Sequence, residues 1–416
     1  MTDTVDATVG EVDLTDAELY RHGFPHDVFV DLRHRDPVHW QAFPEEFPGR
    51  NDGGFWVLSR HEDIQRVSRD DESFDAWDGP MLGLRPELRG TMLVSMDGRD
   101  HLRLRRLINA GFTPRMVRRL DERTRAWAVS IVDRALEKGT CDFVPDVAFQ
   151  LPMQMIADIV GIPLEDRTWL FGVTNDLLLG TDSLHPVTPE RQLDLQVELF
   201  EYAHQLGERK RAEPMDDVWT VLSTIEVEDD DGVPTQLSKI ELDMFFLLLV
   251  IAGSETTRNA LAGGLLALAA HPGQLAALRP DPELVPAAVD EVLRWSSPVT
   301  CFARRATHDV EIRDVPVAAG DRVSLWYPSG NRDEDVFPDP FRFDIRRNPN
   351  PHVAFGGGGP HFCLGANLAR REILILLQEL LARTRDIEVL GPPTYSVLGI
   401  YNPILLAMKS LPVRLA

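Results

Sequence analysis

Apolar residues recur at helical spacing through the middle of the chain. Two segments, from Leu151 to Val160 and from Leu195 to Leu206, repeat apolar residues at the intervals typical of amphipathic helices. Helical patterns of this kind dominate from roughly residue 100 to residue 273, which predicts a helical body. A further stripe has the spacing i, i+3, i+4, i+7 and i+8 and consists of Val285, Ala288, Val289, Val292 and Leu293.

The most apolar run extends from Met244 to Ala252 and is nine residues long. It follows Ser238-Lys239-Ile240-Glu241, a capping-box pattern that predicts the start of a helix. A helix that spans a bilayer needs about 20 apolar residues. The run therefore predicts a helix buried within the protein and no membrane span.

Short extended runs stand at both ends of the chain. Phe55-Trp56-Val57-Leu58 follows Asp52-Gly53-Gly54 as a strand follows a turn, and similar runs return from Val299 to Tyr327 and after Ile387. We expect one mainly α domain over residues 1–416 that carries a small β-sheet region. Its predicted helix-rich parts are about 100–300 and 364–385, and its strand-rich parts are about 28–68, 299–327 and 387–416.

The composition narrows the class of protein. Lys plus Arg total 43 and Asp plus Glu total 66, which gives a net charge of −23 and argues against nucleic acid as a partner. The N-terminal residues lack the cationic start and apolar stretch of a signal peptide. Cys141, Cys301 and Cys363 include no CxxC pair and suit a reducing compartment. We expect a cytoplasmic monomer.

One cysteine lies in an unusual segment, Phe355-Gly356-Gly357-Gly358-Gly359-Pro360-His361-Phe362-Cys363-Leu364-Gly365. Four consecutive glycines lack Cβ atoms, which lets a backbone lie flat against a planar ligand. Cys363 stands at the start of a predicted amphipathic helix, where the macrodipole favours a thiolate. Such a thiolate could be a redox sensor, a metal ligand, or a nucleophile with His361 as its base. A phosphate loop is excluded because no GK[ST] follows.

This segment resembles the haem-binding signature of the cytochrome P450 family, in which a phenylalanine, glycines, a basic residue and the ligand cysteine lead into a glycine. Phe355 precedes Cys363 by eight residues where the commonest form has seven. The longer form resembles a bacterial branch that includes steroid, terpenoid and branched-lipid hydroxylases. The resemblance implies the P450 fold and a haem b whose iron is bound by Cys363, with Phe355, His361 and Gly365 beside the haem.

Further motifs occur in the family's order. Glu291-Val292-Leu293-Arg294 matches the ExxR motif, which by itself is often a solvated ion pair. With Phe337-Pro338-Asp339-Pro340-Phe341-Arg342-Phe343 downstream, the resemblance implies that Arg342 joins Glu291 and Arg294 in a buried charge network. Charges can be buried in this way only if all are paired.

The buried helix is interrupted by Ala252-Gly253-Ser254-Glu255-Thr256-Thr257, which has the form of the family's oxygen-activation motif. The resemblance implies that Ala252 borders the haem, that Thr256 holds a water or the bound oxygen, and that Glu255 helps to bring protons. A simpler alternative is that the Thr256 hydroxyl only bonds back to the carbonyl of Ala252.

Four basic residues are candidates to bind the haem propionates. Asp97-Gly98-Arg99-Asp100-His101-Leu102-Arg103-Leu104-Arg105 resembles the family's propionate-binding helix, although Gly98 stands where the family usually has proline. His101 and Arg105 are four residues apart and share a helix face, so they can bind carboxylates together. By the same resemblance, Arg304 and His361 supply the remaining contacts.

The resemblance implies a monooxygenase that uses O2 and two electrons from NAD(P)H, delivered by a separate ferredoxin and ferredoxin reductase. We expect a basic docking patch drawn from Arg103, Arg106, Arg346, Arg347, Arg370 and Arg371. A hydrophobic substrate (a steroid, terpenoid or branched lipid) would contact a pocket whose candidate residues are Met81, Leu82, Leu84, Val299, Leu398 and Ile400, with Cys301 nearby.

Other classes remain to be distinguished. A non-catalytic haem sensor or carrier is the main alternative, but it needs no acid–alcohol pair such as Glu255 and Thr256. A peroxide-using relative would usually replace the threonine. A cysteine hydrolase would contain no haem, and it gives the glycine run no purpose.

Overall fold

The computed structural model describes residues 12–45, 53–82, 89–111, 114–179, 187–228, 232–396 and 406–416, with the backbone alone at 114–118 and 178–179. Helices dominate this part of the chain. They are α1 (His26–Arg35), α2 (His61–Arg69), α3 (Gly98–Gly111), α4 (Pro114–Lys138), α5 (Gln150–Val160), α6 (Leu164–Leu179), α7 (Pro189–Ala212), α8 (Val218–Thr224), α9 (Lys239–Ala270), α10 (Pro272–Leu278), α11 (Val285–Ser296), α12 (Tyr327–Gly330) and α13 (Ala366–Arg383).

The strands are short and form small sheets. They are β1 (Val38–Ala42), β2 (Gly54–Leu58), β3 (Phe74–Asp75), β4 (Thr140–Asp142), β5 (Val227–Glu228), β6 (Pro234–Thr235), β7 (Cys301–Ala306), β8 (Val310–Ile312), β9 (Val315–Val317), β10 (Arg322–Trp326), β11 (Ile387–Val389), β12 (Thr394–Ser396), β13 (Ala407–Ser410) and β14 (Pro412–Leu415).

The largest sheet has five strands in the order β1-β2-β10-β7-β3. Strands β2 and β10 are parallel, with Trp56 opposite Val323, and the other neighbours are antiparallel. Every residue of the central strand β10 is buried, so the sheet packs on both sides. A second sheet, in the order β11-β14-β4, joins the end of the chain to the segment after α4.

Helix α9 lies at the centre of the main hydrophobic core and packs against α5, α7, α11 and α13. It begins with the predicted capping box: Ser238 N–H donates to Glu241 Oε2 at 2.8 Å, and Glu241 N–H donates to Ser238 Oγ at 3.3 Å. A Cβ on Gly264 would lie 2.6 Å from Cγ1 of Val292, so α9 and α11 approach more closely than a side chain would permit.

The predicted fold class is confirmed, and most of the predicted elements are present. Helices α5, α7 and α11 cover the three apolar patterns, and β2 covers the predicted strand Phe55–Leu58. The expectation of a strand-rich region at about 28–68 was wrong in part, because α1 and α2 enclose β1 and β2 there. Both helices are short; α1 buries Phe29 and Leu32, and α2 buries Ile64 and Val67. Across the described ranges, no helix combines the length and the apolar character needed to cross a membrane.

Candidate haem site

The cysteine segment forms a closed loop that leaves one thiol accessible. The backbone N–H of Cys363 donates to the carbonyl of Phe355 at 3.0 Å. Cys363 is exposed, whereas Cys141 and Cys301 are buried. Of the three cysteines, Cys363 is therefore the one that an approaching ligand can reach.

Helix α13 begins at Ala366, with Gly365 as its N-cap, so Cys363 lies just before the helix and not within its first turn. The thiol is open on one side, but protein surrounds the rest of it, and this burial raises its pKa. The N–H of Gly365 and the charges of Arg105 and Arg370 act in the opposite direction. The helix terminus alone therefore does not produce a thiolate, whereas coordination to a metal ion would deprotonate the sulfur.

Three glycines of the run, Gly357, Gly358 and Gly359, pack closely against α2, whereas a Cβ on Gly356 would meet open space. A Cβ on Gly359 would lie 2.1 Å from the Ser68 carbonyl oxygen, and one on Gly357 would lie 2.6 Å from Ser68 Oγ. Gly359 also has a φ of +75°, in the left-handed region that favours glycine. Arg69 Nε donates to the Gly357 carbonyl at 3.1 Å. These glycines serve a close approach between the loop and α2.

The predicted propionate-binding side chains lie around the start of α3 and the cysteine loop. The rings of His101 and His361 stack with their centroids 4.4 Å apart. Arg105 Nη2 donates to the carbonyl of Phe362 at 2.5 Å, which ties α3 to the residue before Cys363. Burial lowers the pKa of both histidines, that of His101 to about 4, and the nearby charge of Arg304 contributes to the shift.

Asp97 connects this cluster to the segment after β3. Its Oδ1 lies 2.8 Å from His361 Nε2, and its Oδ2 accepts the N–H of Ala76 at 2.8 Å. Burial would raise the pKa of Asp97, but the hydrogen bond with His361 brings it below its usual value. The sequence motif contained Asp97 without suggesting this role, because its partners lie far away along the chain.

These residues fit the haem that the resemblance implies. Cys363 offers a soft sulfur ligand of the kind that iron accepts. Nε2 of His101 is buried and has no hydrogen-bond partner among the residues that the structure describes, so it can still bond to an oxygen of a bound carboxylate. Arg105 and Arg304 place permanent positive charge near the two histidines, which suits the anionic side groups of a haem.

Glu291 and Arg294 form a fully buried ion pair on α11. Arg294 Nε and Nη2 donate to the two carboxylate oxygens of Glu291 at 2.7 and 2.8 Å, and both side chains are 0% exposed. Arg294 Nη1 also donates to the carbonyls of Asn331 and Pro340 at 2.8 and 2.9 Å. The pair thus holds the irregular segment that leads to the cysteine loop, and the alternative of a solvated ion pair was wrong.

The third charge of this network is Arg347, and the prediction of Arg342 was wrong. Arg347 Nε lies 3.2 Å from Glu291 Oε2, and the Arg347 side chain is 8% exposed. The Arg342 side chain is 68% exposed and lies 3.8 Å from Asp344. Arg342 contributes its carbonyl, which accepts from Arg347 Nη2 at 2.9 Å. In an irregular loop, side-chain direction depends on local dihedrals such as the positive φ of Asp339, 49°, which motif spacing does not reveal.

Ala252 and Thr256 lie on one open strip of the otherwise enclosed helix α9. Ala252 is exposed and Thr256 is half-buried, whereas Ser254 and Glu255 between them are buried. The Thr256 hydroxyl donates to the Ala252 carbonyl at 2.8 Å, so the back-bond considered as the simpler alternative is present. This bond uses the hydroxyl proton and leaves the oxygen able to accept a hydrogen bond.

Glu255 points away from this strip and pairs with Arg258. Arg258 Nη2 lies 2.5 Å from Glu255 Oε2, and both side chains are 2% exposed. Burial raises the pKa of Glu255, and the guanidinium only partly opposes this shift. Arg258 also lies over the ring of Phe149, 5.9 Å from its centroid. Arg258 was not among the predicted site residues, although its i, i+3 spacing from Glu255 is the signal for such a pair.

The candidate substrate residues are only partly described. Leu82 and Cys301 are both 0% exposed and belong to the same core cluster. Met81 and Val299 are half-buried, and Val299 packs against a second core cluster. The substrate pocket therefore stays a prediction. Three candidates lie outside the described residues: Leu84, Leu398 and Ile400.

Most of the six arginines expected to form a docking patch already have acidic partners. Arg106 and Arg346 are exposed. The side chain of Arg370 is 36% exposed, so it also reaches the surface. The patch stays a prediction. The ion pairs are Arg103–Glu241, Arg347–Glu291, Arg370–Asp290 and Arg371–Asp121.

Comparison with known proteins points to the same family as the cysteine segment does. A family model described as Cytochrome P450 matches residues 190–386. The chain is 38% identical over 394 residues to a steroid C26-monooxygenase of Rhodococcus jostii, a match that covers 92% of this chain and 80% of that protein. It is also 38% identical over 395 residues to a methyl-branched lipid omega-hydroxylase of Mycobacterium bovis, covering 92% of this chain and 90% of that protein.

The fold is shared with solved structures as well. The chain resembles a Mycobacterium marinum cytochrome P450 in complex with pseudoionone, with a TM-score of 0.85 and 38% sequence identity. This match covers 94% of each chain, so the similarity extends well beyond the cysteine segment.

Proposed function

The chain belongs to the cytochrome P450 family and is a haem-thiolate monooxygenase, and we propose that it hydroxylates a steroid, terpenoid or branched lipid with electrons from a ferredoxin system. The substrate class rests on the named relatives, and the observation that carries the haem site is the bond from Arg105 to the carbonyl of Phe362 at 2.5 Å. It joins the candidate propionate-binding helix to the residue before Cys363, so that one rigid unit offers both a sulfur ligand and cations.

Cys363 is the proposed iron ligand. When bound, the haem supplies the iron that activates dioxygen, and thiolate ligation favours cleavage of the O–O bond. The Phe355 carbonyl holds the Cys363 N–H at 3.0 Å and so fixes the loop that carries the sulfur. The side chains proposed to hold the haem carboxylates are His101, Arg105, Arg304 and His361, and the residues proposed to border the ring are Ala252, Phe355 and Gly365.

Glu255 and Thr256 are the proposed proton-delivery residues. The Thr256 hydroxyl lies on the open strip of α9 and can accept a hydrogen bond from a water molecule. Burial raises the pKa of Glu255, which brings the carboxyl group closer to the range in which it can take up and release a proton. Arg258 occupies one carboxylate oxygen, Oε2, so a proton would reach the other oxygen, Oε1, through a water molecule or after the carboxyl group leaves Arg258.

The proposed substrates share a branched alkyl chain. One relative is named for the steroid C26 position and another for the omega position of a methyl-branched lipid, and both positions lie at the end of an alkyl chain. We assign the same kind of carbon to this enzyme. The half-buried apolar side chains of Met81 and Val299 are proposed to contact such a chain, whose burial is favourable because it removes apolar surface from water.

Electrons are proposed to come from NAD(P)H through a ferredoxin reductase and a ferredoxin. The chain has a net charge of −23, so an acidic ferredoxin needs a local basic surface. Arg106 and Arg346 are exposed and are the proposed contacts. Mutation of such rim charges should change the rate of association more than the stability of the complex.

Two matched pairs of compounds test whether the enzyme prefers substrates with a branched alkyl chain. One pair is a steroid with a branched side chain and the same steroid without it; the other is a methyl-branched fatty acid and its straight-chain isomer. We expect the branched members to shift the iron spin state more strongly. With ferredoxin, reductase and NAD(P)H, they should yield a product hydroxylated at the chain end. Haem binding without any product would instead indicate a sensor or carrier.

A further inference from the structure

Arg370 lies over the ring of Phe355, the residue whose carbonyl holds the ligand cysteine. Its guanidinium carbon is 4.5 Å from the ring centroid, within the range of a cation–π contact. The carbonyl of Phe355 accepts the N–H of Cys363 at 3.0 Å. A permanent positive charge is therefore fixed against the loop that presents the sulfur.

A carboxylate on α11 holds this arginine in place. Arg370 Nε donates to Asp290 Oδ1 at 2.9 Å, and His352 Nε2 lies 3.3 Å from the same oxygen. The His352 side chain is 3% exposed, and its ring centroid lies 5.9 Å from that of Phe355. Asp290 is thus shared between His352, which precedes the cysteine loop in sequence, and Arg370, which follows it, and this limits the freedom of Arg370.

Arg370 is not one of the residues proposed to bind a haem carboxylate. Its neighbour Arg371 provides a contrast, because Arg371 pairs with Asp121 on α4 and is 44% exposed. Arg370 instead lies over the ring of Phe355, whose carbonyl accepts the N–H of Cys363.

We propose that Arg370, held by Asp290 over Phe355, is a positioning residue that raises the reduction potential of the haem iron. The inference rests on the proposed function, since it requires Cys363 as the iron ligand. Reduction of a ferric haem with a thiolate ligand would add one electron, so the total charge of the iron and its ligands would become one unit more negative. A cation held against the cysteine loop would stabilise that added charge by Coulomb attraction, so loss of the cation would disfavour the ferrous form.

The test is redox titration of the purified haem protein with dithionite and mediator dyes, without ferredoxin. In Arg370→Met, the ferrous-to-ferric ratio at a fixed mediator potential should fall about threefold or more, where a tenfold fall equals about 59 mV for one electron. Arg370→Gln is a second neutral variant in case the first does not fold. Arg370→Lys keeps the charge and should remain within about twofold of the parent.

Arg371→Met is the matched control, because it removes an arginine at the next position of the same helix. It should leave the ratio unchanged. The C–O stretching frequency of the ferrous carbon monoxide complex gives a second readout and should fall in the neutral Arg370 variants, since an unscreened thiolate donates more electron density.

Three results would overturn the inference: an unchanged ratio in both neutral variants, an equal fall in Arg370→Lys, or an equal fall in Arg371→Met. An equal fall in Arg370→Lys would show that Arg370 acts through packing and not through its charge. An equal fall in Arg371→Met would show a general effect of surface charge. A parent protein without a thiolate-type carbon monoxide spectrum would defeat the proposed function itself. A normal spectrum with an unchanged potential would defeat only the role of Arg370.

Discussion

Arg258 donates to Glu255 across one turn of α9 at 2.5 Å, and both side chains are 2% exposed. The proposed proton-delivering carboxyl group is therefore closed to solvent by a residue on its own helix. One oxygen of Glu255, Oε1, and Nε of Arg258 have no hydrogen-bond partner among the described residues. These two atoms are positions where water molecules would complete the hydrogen bonding of the pair.

Removal of Arg258 should destabilise the protein strongly. Arg258→Met leaves a buried carboxyl group without its partner, which lowers the free energy of unfolding by about 3–5 kcal/mol. In the double variant with Glu255→Gln, the loss should be smaller than the sum of the two single losses. Urea unfolding of all four proteins measures this coupling, and strictly additive losses would contradict it.

Glu372 on α13 should make stability depend on pH. It is buried, its Oε2 has no hydrogen-bond partner within the described part of the chain, and burial raises its pKa from 4.5 to about 8. Between these values the folded state keeps a proton that the unfolded state loses, so stability falls as the pH rises. The slope is about 1.4 kcal/mol per pH unit for one group.

Glu372→Gln removes this titration. Its free energy of unfolding should therefore decline less steeply than that of the parent between about pH 5 and pH 8. Denaturant unfolding at several pH values compares the two proteins. Parallel curves over this window would show that Glu372 does not keep its proton in the folded state.

The charge network should depend on Arg347 and not on Arg342. Arg347→Met leaves the fully buried Glu291 with one charged partner fewer, which should lower the free energy of unfolding by about 3 kcal/mol. Arg342→Met replaces a side chain that is 68% exposed and should change stability by less than about 0.5 kcal/mol. Thermal and denaturant unfolding test this pair, and the reverse order of effects would restore Arg342 to the network.

Asp97 should control how firmly the haem is held. Asp97→Asn weakens the bond to His361 and leaves the N–H of Ala76 with a poorer acceptor. We expect haem transfer to apomyoglobin to become about tenfold faster, because hydrogen bonds to charged groups are stronger than neutral ones. Asp100→Asn, an exposed position on the same helix, is the control and should show the parent rate.

The sequence predicted those parts of the molecule in which local spacing determines structure. The capping box of Ser238 and Glu241, the buried stripe of α11 and the ExxR pair all depend on residues three or four positions apart on a helix. Such residues must be neighbours once the helix forms. The back-bond from Thr256 to Ala252, which was the simpler alternative to a catalytic role, joins residues four positions apart in the same way.

Contacts made in irregular loops were not predictable in this way. Motif spacing placed Arg342 in the charge network, but the loop directs Arg347 there instead. The glycine run suggested a surface for a planar ligand, whereas Gly359 meets the Ser68 carbonyl on a helix almost 300 residues earlier in the chain. Asp97 and His361 are likewise distant in sequence, and their contact depends on the complete fold.

The central claim is that Cys363 supplies the sulfur bound to the haem iron. The most direct measurement is the absorption spectrum of the reduced protein with carbon monoxide, for the parent, Cys363→Ser and the control Cys141→Ser, which alters a buried cysteine. The parent and Cys141→Ser should both show the strongly red-shifted Soret band of thiolate ligation, and Cys363→Ser should lose it. A Cys363→Ser protein that still shows the red-shifted band would contradict the account.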